Sequence, residues 1–546
     1  MNAIRRSVSM TDTVAQPIDK EAAAAKAADS GQSGASFEAR VHAGGAGDVL
    51  APLVIGGEEI ESGESFAVQD PGRPGETVGR AVSATRDQAQ GAVDAAARAW
   101  TDWSRLAPER RAEMLVAALD GLSAEEEARA RLLTRENGKL LMESNIEMHV
   151  FAGRCRMAAE LAPALSKVQE LAPETQEPEP GLDGQARPRT RPPIPLRSEV
   201  SHLPLGVVTI IVPYNWPLAI LAASLPYALI AGNSVVVKVP PTTPLAITLV
   251  LRDVARRLPP GVLNVLSGSN EAVAPIIVDP RIRRLVFTGS TAAGKRMMEM
   301  CAGNLARVTL ELGGNDPAIV LDDADLDAAA IQRLTISSFL TSGQVCMGIK
   351  RIYVHRSRYD EVVEGMSAML SNFRIGHGLD PESSMGPLNN RRQREVVEAM
   401  VGQARAAGHE VREFGTLSNE AASSGGWYLK PSLVLDPAQH LDIVDQEQFG
   451  PSVPILPFDD LDPLIDTLND HWSGLTSSVW SGDPERAARV ARSLRTGTTW
   501  INNANAVAQD DRAPFGGFRA SGVGRELGRE GLFEFTEPHT VTWPAA

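Results

Sequence analysis

Between Leu203 and Val237 the chain carries no charged residue, a run long enough for a membrane-spanning helix. Four prolines (Pro204, Pro213, Pro217, Pro226) and the asparagines Asn215 and Asn233 interrupt it, so it reads instead as strand, turn, helix, turn, strand. Strands free of charge are what a parallel sheet covered on both faces requires. The same texture continues downstream. GVVTIIV, SVVVKV, VLNVLSG, RLVFTGS and VTLELGG are short apolar blocks separated by helical stretches or Pro/Gly turns, and they predict a series of buried strands. Strands alternating with helices imply right-handed crossovers and a parallel α/β sheet. A second α/β block runs from DPAIVLDDADLDAAAIQ through RIYVHRSRYDEVVEGM to about Trp500, and no internal repeat stands out.

Ahead of the sheet, the stretch from Ala51 to Thr85 reads as short strands and turns, and Arg86 to about Leu165 spaces its apolar residues as several amphipathic helices do. Ala172 to Arg197 is rich in proline and charge, which predicts a surface excursion or an edge strand. The first residues, to about 45, are polar and rich in Ala and Ser; they bury too little apolar surface to offset ordering entropy and are expected to form a flexible tail, not a signal peptide. Past Arg512 the pattern returns to loop, helix and strand, and this last part is expected to pack away from the second block.

Length and charge narrow the function. A chain of 546 residues needs more than one core. Its formal charge of −15 argues against nucleic acid or an anionic membrane as partner and leaves small molecules. Cys155, Cys301 and Cys346 show no metal-binding spacing, so no metal site is expected, and an odd number of thiols fits a reducing cytoplasm.

Three turns carry candidate chemistry. Cys346 lies in TSGQVCMGIK, where flanking Gly343 and Gly348 leave room for a substrate to reach the sulfur, whereas Cys155 and Cys301 sit in Met- and Ala-rich helical stretches and read as small buried hydrophobes. Glu311 ends a strand just before Gly313 and Gly314; a carboxylate facing a cleft there is a general-base candidate, and a surface glutamate at a turn is the plainer alternative. Asn215, between Pro213 and Pro217, is a rigidly held amide suited to an oxyanion or simply a turn former. A thiol, a carboxylate and an amide donor on three strand-end turns are what covalent acyl chemistry at a carbonyl requires. A fourth stretch, FTGSTAAGKR (Phe287–Arg296), has the glycine and lysine spacing of a triphosphate-binding loop, but Arg296 stands where the magnesium-binding hydroxyl belongs.

Taken in order, VPYNWP, FTGSTAAGK, LELGGNDP, GQVCMGIKRIYV, EQFGPSVPI and PFGGFRASGVGRE resemble the signature stretches of the aldehyde dehydrogenase superfamily, from about Ala51 to the C-terminus. The resemblance implies two parallel-sheet α/β domains plus a small β oligomerisation arm. The implied division is a tail over 1–45, a dinucleotide-binding domain over 46–177 and 205–312, an arm over 178–204 and 525–546, and a catalytic domain over 313–524. It implies NAD(P)-dependent oxidation of an aldehyde to the acid, with Cys346 as nucleophile, Glu311 as the base for the hydrolytic water and Asn215 as oxyanion donor beside the Cys346 N–H. Relatives that pass the acyl group to coenzyme A generally lack that glutamate, so hydrolysis is implied. For NAD or NADP it implies Lys238, Gly268, Gly289, Ser290, Glu447 and Phe449, with Gly289 and Ser290 at the pyrophosphate. It also implies a homodimer or homotetramer. Pro241 replaces a glutamate that NAD-preferring relatives often carry, which leaves NADP admissible, and Arg519 replaces a common lysine. Trp216, Ile220, Val345 and Met347 are expected to line an apolar substrate tunnel, with Arg154 as the residue that would reverse that polarity if it pointed inward. A triphosphate hydrolase and a non-catalytic binding protein on the same fold are the alternatives.

Overall fold

The computed structural model describes residues 49–171 and 196–544; the expected tail and nearly all of the Pro-rich segment lie outside the described residues. Two large sheets organise what is described. The first has eight strands in the spatial order Gly522–Val523, Arg307–Glu311, Ile282–Thr288, Val207–Ile211, Ser234–Lys238, Leu263–Leu266, Leu53–Ile55, Glu58–Ile60. Its five central strands are the five apolar blocks of the sequence, and they pair in parallel. All five residues of Val207–Ile211 and of Ser234–Lys238 are buried, as strands covered on both faces must be.

Register sets where the chemistry falls. Ile211 pairs with Lys238, Leu266 with Lys238, and Thr288 with Glu311, so the carboxyl ends of the central strands come level at one end of the sheet. The turns that follow hold Asn215, Gly268, Gly289 and, at the last strand position itself, Glu311. The mouth at the carboxyl ends of parallel strands is where open α/β sheets bind ligands.

The uncharged run departs from expectation in one detail. Its single expected helix is two, Pro217–Leu221 and Leu225–Ile230. Pro226 has no N–H to donate and its ring crowds the carbonyl four residues back, so the helix must restart there.

The second sheet has seven strands, ordered Glu410–Glu413, Ser432–Leu435, Ser452–Phe458, Arg351–His355, Pro317–Val320, Thr476–Trp480, Thr498–Ile501, all parallel except the first. Arg86–Trp103, Pro108–Ala118, Glu126–Asn137 and Leu141–Glu160 are the amphipathic helices expected upstream. Gln169–Leu171, Leu196–Pro204 and Thr536–Pro544 form a separate antiparallel sheet with Leu171, Leu196, Leu203 and Val541 exposed. Among the described residues no helix is long and apolar enough to cross a membrane.

Candidate active site

The thiol turn is built from strained backbone held by buried partners. After the helix Ala328–Phe339 the chain passes through Thr341 (φ 51°), Ser342 (φ 57°) and Gly343 (φ 74°), all left-handed. For Thr and Ser that conformation costs roughly 1–2 kcal/mol each. Glu143, from the helix Leu141–Glu160, offsets it: its Oε1 accepts from the Thr341 N–H at 2.6 Å and from its hydroxyl at 3.2 Å. Trp216 Nε1 donates to the same hydroxyl at 3.0 Å, and Ser342 donates to the Gly386 carbonyl at 2.8 Å. Gly343 is obligatory, since a Cβ there would stand 2.3 Å from the Gly450 carbonyl oxygen.

Cys346 follows, half-buried, with Val345 buried before it. Cys155 and Cys301 are fully buried in helices, as small hydrophobes are. Burial pushes the Cys346 thiol up to about 12, with Glu447 and Glu311 adding to the shift and Lys350 opposing it. That list of neighbours locates the thiol electrostatically. It feels three carboxyls, those of Glu447, Glu311 and Asp316, and one ammonium.

Glu311 is 4% exposed, so it is no surface glutamate at a turn, and Gly522–Val523 pairs with its strand. Both carboxylate oxygens are buried without a hydrogen-bond partner among the described residues. Burial raises its pKa well above the ordinary 4.5; Glu526 raises it further and Arg525 opposes. Gly516 permits this placement, since a Cβ on it would come within 2.8 Å of Glu311 Oε1. Asn215 is buried, and its amide donates one N–H to the Gln344 carbonyl at 2.9 Å, two residues before the thiol. An amide has two N–H groups, so one remains for a ligand. Asn137 fixes the turn by donating to the Tyr214 carbonyl at 2.6 Å.

The residues expected to hold a dinucleotide fit one in three respects. Gly289, whose N–H donates to the Glu311 carbonyl at 3.0 Å, leads into Ser290, the N-cap of the helix Thr291–Ala302. That helix start offers N–H groups and a positive dipole end to phosphate. Lys238 is buried at its strand end and has no ion-pair or hydrogen-bonding partner for its ammonium among the described residues; desolvation lowers its pKa. Glu447 Oε1 is buried and unpartnered, and burial lifts the carboxyl to about 7. Phe449 (φ 48°) meets the Tyr214 ring edge-on, centroids 6.2 Å apart, and Gly268 (φ 141°) turns against the Ala84 backbone. Lys238, Gly289 and Ser290 share the sheet end with Glu311, whereas Glu447 belongs to the thiol's own electrostatic neighbourhood. Lys295 and Arg296 are both exposed on the helix.

Beside the thiol, buried Trp216, Ala219 and Val345 cluster with Val150, Ile220, Leu340 and Met347. Arg154 donates to the Ala219 carbonyl at 2.7 Å and is clamped in a bidentate pair by Asp511, at 2.8 and 2.7 Å. Sequence reasoning missed Lys350, Asp316, Glu143 and Glu526. The signal available was a charge inside an otherwise uncharged strand-end motif, as in GGNDP and MGIK.

The model of the aldehyde dehydrogenase family matches residues 59–541. The 3-sulfolactaldehyde dehydrogenase of Pseudomonas putida is 33% identical over 87% of this chain and 93% of the relative. The NADP-dependent succinate-semialdehyde dehydrogenase of Escherichia coli is 33% identical over 89% of this chain and 96% of the relative. Among solved structures, the betaine aldehyde dehydrogenase of Staphylococcus aureus in complex with NAD+ superposes with a TM-score of 0.82 at 28% identity, over 93% of this chain and 97% of that one.

Proposed function

The chain belongs to the aldehyde dehydrogenase family, and we propose that Cys346, Glu311 and Asn215 divide the work of its reaction among them. The enzyme oxidises an aldehyde to the carboxylic acid with NAD or NADP. Cys346 gives up its proton to solvent water and its sulfur adds to the aldehyde carbon, while the carbonyl π pair moves to oxygen. That oxyanion is held by the free N–H of the Asn215 amide and by the Cys346 backbone N–H; losing one such donor costs about 3 kcal/mol. A nicotinamide held there would supply the hydride acceptor for the same carbon. The acyl group then on sulfur is a thioester. Glu311 takes a proton from water, the water oxygen adds to the acyl carbon, and the C–S bond breaks to release the acid and the thiolate.

The observation that carries this reading is the Glu311 carboxyl, buried with both oxygens unpartnered and electrostatically felt by the Cys346 thiol. A buried acid without partners destabilises the fold and is explained by a transient partner such as water. Cys346→Ser is expected to abolish aldehyde-dependent reduction of NAD or NADP, with Cys301→Ser near normal; equal activity in Cys346→Ser and the parent sinks the assignment.

Lys238, Gly268, Gly289, Ser290, Glu447 and Phe449 would hold the cofactor, the first four toward its phosphates and adenosine and the last two toward its nicotinamide end. The apolar cluster beside Cys346 favours an uncharged aliphatic or aromatic aldehyde. The two relatives named above act, by their names, on aldehydes that carry a sulfonate or a carboxylate, but here the guanidinium beside the apolar cluster is already paired with Asp511. The sheet of Gln169–Leu171, Leu196–Pro204 and Thr536–Pro544, with its exposed leucines, is read as the arm that joins subunits into a dimer or tetramer. Three free thiols fit a reducing cytoplasm.

A further inference from the structure

Lys350 stands four residues past the thiol and is buried, which for an ammonium demands compensation. Its Nζ donates to the Gly343 carbonyl at 2.9 Å and to the Val345 carbonyl at 2.7 Å. The second contact matters chemically. The Val345 carbonyl and the Cys346 N–H belong to one peptide unit, so a cation on that oxygen draws electron density from the nitrogen and strengthens the N–H as a donor. The ammonium is itself held in place. The Lys350 N–H donates to the Asp316 carbonyl at 2.9 Å, Gln448 donates to the Lys350 carbonyl at 3.2 Å, and the Phe449 ring centroid lies 5.2 Å from Nζ. Asp316 is anchored by Thr476, whose N–H donates to it at 3.1 Å. Counter-charge comes from the Asp316 and Glu447 carboxyls.

Resting on the reading of Cys346 as nucleophile, we propose that Lys350 is a positioning residue that clamps the thiol turn and polarises the Val345–Cys346 peptide unit, strengthening the Cys346 N–H toward the oxyanion formed when sulfur adds to the aldehyde. The effect is confined to steps that build negative charge on the substrate oxygen. Alkylation of the same sulfur by iodoacetamide builds none, because a C–S bond forms as iodide leaves. The two reactions therefore separate polarisation of the oxyanion site from nucleophilicity of the thiolate.

The test compares the parent with Lys350→Gln, which keeps a hydrogen-bond donor and removes the charge. Two rates are read on the full-length enzyme: the pre-steady-state burst of reduced cofactor with phenylacetaldehyde, and carboxamidomethylation of the Cys346 peptide followed by mass spectrometry. The burst is expected to slow by about tenfold more than alkylation does, the scale of one charge-assisted hydrogen bond. Equal slowing of both, or an unchanged burst, overturns the proposal. If Lys350→Gln does not melt cooperatively, Lys350→Met is measured in the same way, and failure of both to fold assigns Lys350 a purely structural role and overturns it too. A Cys346→Ser enzyme that still shows a burst would instead refute the nucleophile assignment itself, so the two failures are distinguishable.

Discussion

Replacing Glu311 with glutamine changes one oxygen to an NH2 and leaves the shape intact, yet the two consequences have opposite signs. On the activity side, loss of a positioned general base lowers the rate of the step it serves by about 10²–10⁴-fold. Hydride departure comes before that step, so Glu311→Gln should give one rapid equivalent of reduced cofactor followed by slow turnover. On the stability side, burial holds the folded acid well above its ordinary 4.5, with Glu526 in the same direction and Arg525 against. A carboxyl raised in the fold binds its proton more tightly folded than unfolded. Its contribution is therefore fully present below 4.5 and declines as pH rises through the window in which the unfolded acid has ionised and the folded one has not. The decline is about 1.4 kcal/mol per pH unit across that window. Glutamine has no such proton. Urea unfolding at a series of pH values should show the variant gaining on the parent at that slope and then running parallel once the folded acid ionises. A steady-state rate equal to the parent's refutes the base assignment, and a stability difference independent of pH refutes the burial argument behind it.

Asp511→Ala should release Arg154 beside the apolar pocket and raise the kcat/KM for succinate semialdehyde relative to phenylacetaldehyde by about tenfold, since a desolvated guanidinium would gain a carboxylate to pair with. An unchanged ratio on a two-substrate panel would mean that the pair does not border the substrate. Pro241→Glu, three residues past the unpartnered Lys238, should lower kcat/KM with NADP at least about tenfold by placing a carboxylate against the 2′-phosphate, and should leave NAD within about twofold. Parallel loss with both cofactors would locate Pro241 away from the ribose.

How far the sequence could be read depended on whether a property is local. The five central strands were legible because a doubly covered parallel strand must exclude charge along its whole length, and Val207–Ile211 and Ser234–Lys238 do so almost without exception. Asn215, Glu311 and Cys346 were legible as chemistry on strand-end turns, because polar groups after an apolar block face the mouth of the sheet. What was not legible were contacts that only the folded chain creates. The Glu311 strand pairs with Gly522–Val523, more than two hundred residues later, and nothing around LELGG encodes that pairing. The pairing of Arg154 with Asp511 and the contact of the Lys350 ammonium with the Val345 carbonyl could not be read from either stretch alone.

The charges around the thiol bear on how the site works. Glu311 and Arg154 meet partners from far along the chain, Gly522–Val523 and Asp511, whereas the Lys350 ammonium is held by carbonyls of the turn just before it. Burial and Glu526 raise Glu311 against Arg525, and burial, Glu447 and Glu311 raise Cys346 against Lys350. Removing any one of these charges therefore shifts the others, so single-substitution effects in this cluster should be strongly non-additive. A double-mutant cycle of Lys350→Gln with Asn215→Ala gives the sharpest reading. If both residues act on the same oxyanion, the burst rate of the double variant should fall clearly short of the product of the two single losses; independent, multiplicative losses would show that Lys350 and Asn215 serve different steps.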